Sequence, residues 1–221
     1  MRLFPVLFLI FFLSANNVLS KEYVFKVNEK GLEYQNFVRI EKLEDGYYLK
    51  SLETKEDSKD SVIEAKLNKE FETVEWKYKN PKKNLDVLAV REGNKITITG
   101  AFDGKANNKK ELNIDARPWH QIFQLGLMKF AVTDTKVNSI EFWGLRPDSP
   151  ETAGVLAASK DKLETIEING KIIETSKLRI GLAGWLSIFW TGDYWFRLSD
   201  GLYIKARPTG NVVAELIEEK E

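Results

Sequence analysis

His120 is the only histidine in this 221-residue chain, and cysteine is absent. A Ser-His-Asp triad would have to run through that one imidazole. A serine nucleophile on a sharp elbow is announced by G-x-S-x-G, and the sequence contains no such pattern. With one histidine and no thiolate, a zinc site would rest on carboxylates, and no spaced cluster of them is visible. The chain has 33 acidic residues, so a pair suited to glycoside hydrolysis can be drawn anywhere. Most of them alternate with lysine and read as the wet side of a sheet. Gly126, Gly181 and Gly184 lack the spacing of a phosphate-cradling loop. The expectation is a protein without catalytic residues, metal or cofactor. A hydrolase using His120 or carboxylates is the alternative.

Two other constellations carry more weight. Asp115 and Arg117 form a carboxylate–guanidinium pair that could orient a ligand head group at a cavity rim, or could cap and ion-pair locally. Trp185, Phe189, Trp190, Tyr194, Trp195 and Phe196 crowd into one stretch, with Phe142 and Trp143 elsewhere. Aromatics on both faces of one strand mean that it is covered on both sides or lines a pocket. The rings are either core or the wall of an apolar cavity for an acyl chain or similar ligand. On the second reading Trp119, Phe123, Trp143, Trp190 and Trp195 are the expected lining, with Asp115 and Arg117 at the rim.

These residues need elements to hold them. Trp119, Ile122, Phe123, Gly126, Leu127 and Phe130 recur at helical spacing, which predicts one amphipathic helix over 118–130. Pro118 suits its first turn and Asp115 its cap. The rest alternates with period 2 and is broken by Asp45-Gly46, Gly93-Asn94, Asp103-Gly104, Asn169-Gly170 and Asp200-Gly201. Such dipeptides accept the positive φ of tight hairpin turns. About a dozen strands follow, among them separate ones over 152–159 and 163–168. The fold class predicted is mainly β: a curled antiparallel meander, an open or half barrel, around that one helix.

Composition narrows the function classes. Lys+Arg and Asp+Glu both number 33, so the basic excess a nucleic-acid partner would require is missing. Hydrophobic residues at 43% suffice for a packed core, and aromatics reach 12%. Arg2 precedes an apolar run from Leu3 to Leu13, and Val18-Leu19-Ser20 offers permissive residues for cleavage. Residues 1–20 are read as a signal peptide and 21–221 as a single β-rich domain. The run is far short of the ~20 residues that span a bilayer, so no transmembrane span is expected in the mature chain. An outer-membrane barrel fits poorly, because several strand faces carry Lys and Glu at every second position. The expected location is the bacterial periplasm or outside the cell.

The stretch Leu178-Arg179-Ile180, then Phe189-Trp190, then Tyr194-Trp195-Phe196-Arg197-Leu198-Ser199-Asp200-Gly201-Leu202-Tyr203-Ile204-Lys205 resembles the C-terminal part of a bacterial family of exported domains of unknown function. The implied architecture is similar to the lipoprotein carrier and receptor fold of the Gram-negative envelope, an unclosed barrel with helices over its concave side. The resemblance covers about the last third of the chain and one helix, and it carries over no catalytic residue. Its motifs speak to fold. The aromatic surplus in a neutral exported chain without catalytic motifs points to a hydrophobic or lipid-like ligand, with an envelope protein partner bound by a module with a packed interior as the alternative.

Overall fold

The computed structural model describes residues 20–54, 61–133, 136–184 and 190–220. The expected signal peptide, apart from Ser20, lies outside the described residues, as do Trp185 and Phe189 of the aromatic run. The described strands are β1 (Ser20–Glu29), β2 (Leu32–Lys42), β3 (Gly46–Thr54), β4 (Ser61–Asn68), β5 (Thr73–Asn80), β6 (Leu85–Glu92) and β7 (Lys95–Phe102). They continue with β8 (Lys105–Asn113), β9 (Ser139–Arg146), β10 (Ser149–Ile168), β11 (Lys171–Leu182), β12 (Thr191–Arg197), β13 (Tyr203–Pro208) and β14 (Val212–Lys220). All fourteen belong to one sheet in the order β8 to β1, then β14 back to β9. Every neighbour is antiparallel, and β1 pairs with β14 as well as β2. This is the curled meander that the alternation predicts.

Turn chemistry explains much of the register. Asp103-Gly104 and Asn169-Gly170 place both central residues at positive φ, as a type I′ hairpin requires. Asp45-Gly46 does not follow that expectation. Neither residue has positive φ, and Leu43 N donates to Gly46 O at 2.9 Å, so the turn centres on Glu44 and Asp45. Gly46 already opens β3, where a Cβ would stand 1.9 Å from the Leu67 carbonyl of β4. The glycine serves close backbone approach rather than turn geometry. The two strands expected over 152–159 and 163–168 are one strand, β10, which absorbs an extra residue between Lys160 and Lys162 as a bulge.

The predicted helix is also corrected. Two short helices, α1 (Phe123–Gly126) and α2 (Met128–Val132), replace it. Residues 118–120 are instead held as a strap between two strands. Trp143 N donates to Pro118 O at 2.8 Å, His120 N to Trp143 O at 3.1 Å, and Thr73 N to Trp119 O at 2.7 Å. Those bonds to β9 and β5 take the backbone groups a helix would use. The α1 cap position is Ile122, without a side-chain cap, so Asp115 does not cap a helix.

The sheet rolls up around two cores. One joins β1 and β9–β14 through Phe25, Phe142, Leu178, Ile180, Phe196 and Ile204. The other joins β3–β7 to the strap and α1 through Trp76, Val87, Ile98, Trp119 and Leu125. β9 and the start of β10 take part in both. Phe142 and Ala158 belong to the first core, while Leu145 belongs to the second, with Trp143 and Ala153 packed against it. Side chains alternate across a strand, so β9 is covered on both faces. Among the described residues the two ends of the sheet, β8 and β9, are not hydrogen-bonded to each other, so the barrel stays open. Helices α1 and α2 span the interior, with Leu125 in one core and Leu127 and Ala131 in the other. Among the described residues no helix is long and apolar enough to cross a membrane.

Candidate functional site

The concave faces of β1–β4, β13 and β14 do not close completely on α1, and a cavity of about 270 Å³ remains. Alternation builds its walls. Tyr23, Phe25 and Val27 of β1 face inward, opposite Val38, Asn36 and Tyr34 of β2. Leu49, Ser51 and Glu53 extend the same face on β3, and Ile63 extends it on β4. Ile122, Gln124 and Leu125 close the opposite side, with Leu202, Tyr203, Val212 and Ala214. Phe25 and Tyr203 lie with ring centroids 5.1 Å apart, which stiffens the apolar end.

Polar groups interrupt this wall at Asn36, Ser51, Glu53 and Gln124. Ser51 Oγ donates to Asn36 Oδ1 at 2.7 Å, and Ser51 is buried. Gln124 lies on the opposing wall. Among the described residues that line the cavity none is basic, and Glu53 is the single carboxylate. Burial raises the pKa of the Tyr203 phenol, which keeps it neutral.

Solved structures similar to this chain include three of low sequence identity, of which one superposes above a TM-score of 0.5. No family model matches the sequence, and no curated protein matches it. The beta-barrel-like protein of domain of unknown function DUF1849 from Brucella abortus superposes with a TM-score of 0.58 at 9% identity, over 92% of this chain and 98% of that one. The chain shares its fold with a bacterial domain of unknown function. That is what the resemblance of the C-terminal third implies about architecture. The hypothetical lipoprotein YmcC from Escherichia coli (K12) aligns at 13% identity and a TM-score of 0.39, over 90% of this chain and 86% of that one. PNGF-II aligns at 15% identity and a TM-score of 0.35, over 91% of this chain and 27% of that one.

None of the seven residues expected at a ligand site lines the cavity. Trp119 is fully buried in the second core, its indole N–H donating to Gln121 Oε1 at 3.1 Å. Phe123 packs edge-on against Tyr194 with centroids 5.2 Å apart. Trp190 is half-buried against the first core. Three of the seven do come together. Trp143 Nε1 donates to Asp115 Oδ1 at 2.8 Å, and Arg117 bridges Asp115 at 3.1 Å and Glu141 at 3.3 Å. The Trp143 N–H, before the other partners, holds the Asp115 carboxyl below its usual range. That cluster ties the start of the strap to β9.

Trp195 points away from the cavity because Tyr194 and Phe196 take the concave face of β12. Its indole donates to Glu164 Oε1 at 2.6 Å, with the Lys177 and Lys205 ammonium groups 5.5 and 5.9 Å from the ring. The β10–β11 hairpin reaches across this side. At its tip Asn169 Nδ2 donates to the Leu216 and Ile217 carbonyls of β14, at 3.3 and 3.2 Å.

His120 is buried, and its Nδ1 donates to the Phe71 carbonyl at 3.3 Å. Burial lowers its pKa to about 4, so the ring is neutral near pH 7. Phe71 itself holds φ at +63°, a conformation bulky residues seldom take. The histidine therefore secures a strained turn.

The residues that do line the cavity carry a readable signal. Asn36 and Ser51 are polar residues on an otherwise apolar alternating face, between Tyr34 and Val38 and between Leu49 and Glu53. A large-aromatic count passes over such positions.

Proposed function

We propose that this is an exported, non-enzymatic binding protein whose half-barrel cavity holds the apolar part of a small hydrophobic or lipid-like ligand. The observation that carries the reading is the incomplete closure of the concave face on α1, which leaves about 270 Å³ bounded mainly by apolar side chains. Sites for small molecules are concave, mostly apolar and furnished with a few polar groups, and they run ~300–1,000 Å³. At about 270 Å³ this one falls just below that range. Residues 1–20 act as the signal peptide and 21–221 as the single mature domain, which puts the site in the periplasm or outside the cell. The ligand-contact role passes from the tryptophans to Phe25, Val38, Leu49, Leu125 and Tyr203.

Native mass spectrometry and organic extraction of the mature chain, purified from a periplasmic fraction, test the reading. A co-purifying apolar molecule is expected, and it is lost in an Ala214→Leu variant that intrudes on the cavity. An empty wild-type protein that also binds no added apolar probe overturns it.

A second reading, an envelope protein-interaction module, is favoured by Leu163 and Ile172. They are 70% and 80% exposed on one face of the β10–β11 hairpin. A stoichiometric partner in a pull-down, lost in a Leu163→Ser, Ile172→Ser variant, would support it over the carrier.

A further inference from the structure

We infer that the ligand is a single-chain amphiphile with an uncharged, hydrogen-bonding head, and that the cavity discriminates against acidic lipids. This rests on the cavity reading above. The volume, about 270 Å³, admits one apolar chain and not the two chains of a bilayer lipid. Three observations then describe the head group.

The first is charge. No lysine, arginine or histidine is present among the described lining residues. An ionised carboxylate or phosphate carried into such a site loses its hydration without gaining a countercharge. An uncharged head loses only hydrogen bonds, which neutral side chains can replace.

The second is the Asn36–Ser51 pair. Ser51 spends its hydroxyl proton on Asn36 Oδ1, at 2.7 Å. That leaves the Asn36 amide N–H groups as donors and the Ser51 oxygen as an acceptor. A hydroxyl or primary amide can use both. An ester can use the donors alone.

The third is the facing wall. Gln124 of α1 lines the same cavity and supplies a second neutral amide from the opposite side. The polar groups thus come from β2, β3 and α1, while Phe25, Leu49 and Tyr203 contribute the apolar surface for the chain.

The test is displacement of a neutral fluorescent probe, N-phenyl-1-naphthylamine, from the mature full-length chain at pH 8. Decan-1-ol, decanamide and decanoate are the competitors, equal in chain length. Decanol and decanamide should displace the probe, and decanoate should need roughly tenfold more, the equivalent of one unit of pKa penalty. Asn36→Leu should weaken decanamide relative to the probe by about tenfold, read as the ratio of the two affinities in the same variant. If that variant does not fold, Ser51→Ala should shift the same ratio in the same direction. Decanoate competing as well as decanamide overturns the head-group inference and leaves the cavity reading standing. A probe that does not bind, or that binds an Ala214→Leu variant equally well, overturns the cavity reading and this inference with it.

Discussion

The imidazole of His120 occupies the space a side chain at Gly126 would need: a Cβ there would stand 2.4 Å from His120 Nδ1. The only histidine of the chain is thereby locked between α1, the ring of Phe142 at 5.6 Å and the Phe71 carbonyl.

Stability should fall between pH 7 and pH 5. His120 has a folded pKa of about 4, lowered first by burial, against 6.5 when unexposed to the fold. Between those values the unfolded chain binds the extra proton. The stabilisation is thus full above about 6.5 and lost progressively as pH falls toward 4. Over pH 7 to 5 the loss is about 2 kcal/mol. Urea denaturation at both pH values measures it, and a His120→Gln variant should show a much smaller difference over the same interval.

Gly126→Ala should cost about 1–3 kcal/mol, because the methyl must displace a buried ring rather than a flexible chain end. Burial is the largest cause of the lowered His120 pKa, so an imidazole pushed out toward solvent should titrate closer to 6.5 by NMR. A wild-type titration curve in the variant would contradict the packing described.

Trp119 and Asp115 lie four residues apart and should behave differently. Trp119→Ala empties a fully buried site between β5 and β9, and about 3–5 kcal/mol should be lost in chemical denaturation. Asp115→Ala removes exposed contacts to Trp143 and Arg117, and its denaturation midpoint should stay near that of the wild type.

Ala214→Leu should separate binding from folding. Ala214 faces the cavity on β14, so the added carbons enter vacant space rather than a packed core. Stability should remain within about 1 kcal/mol of wild type, while capture of the neutral probe disappears. Differential scanning calorimetry and fluorescence titration on the same preparation check both halves.

Local chemistry was legible in the sequence, and long-range packing was not. Asn169-Gly170 and Asp103-Gly104 gave their hairpins because Asn, Asp and Gly take positive φ at little cost, whereas Lys30-Gly31 adopts the same φ pattern without that signal at its first position. The helical period at 119–130 is real as a burial pattern, since Trp119, Ile122 and Leu127 are all buried. It misreads the backbone, because the hydrogen-bond partners of residues 118–120 come from Thr73 and Trp143, distant in sequence. The aromatic rings are divided among layers for a related reason. The rolled sheet has two cores and an outer hairpin. Trp119 and Trp143 serve the second core and Trp195 lies beneath the hairpin, and no spacing rule reports which layer a ring joins. The inward faces of β1–β3 were visible as alternation. That they leave a gap depends on how α1 sits over them.

The antiparallel ladder between β1 and β14 sets Glu22 opposite Lys220, so the first and last described strands of the sheet run side by side. Joined there by a short linker and opened between β8 and β9, the chain would be an uninterrupted meander. The natural protein is thus a circular permutant of the simplest antiparallel topology. Its two arms, β1–β8 and β9–β14, can each zip by local hairpins. The central seam must wait until the C-terminal strand arrives, at the largest loop-closure entropy in the molecule. Cotranslational folding would stop at one arm, with the β1 edge unpaired. A permutant that begins at β9 should refold faster than the natural order while leaving the same barrel.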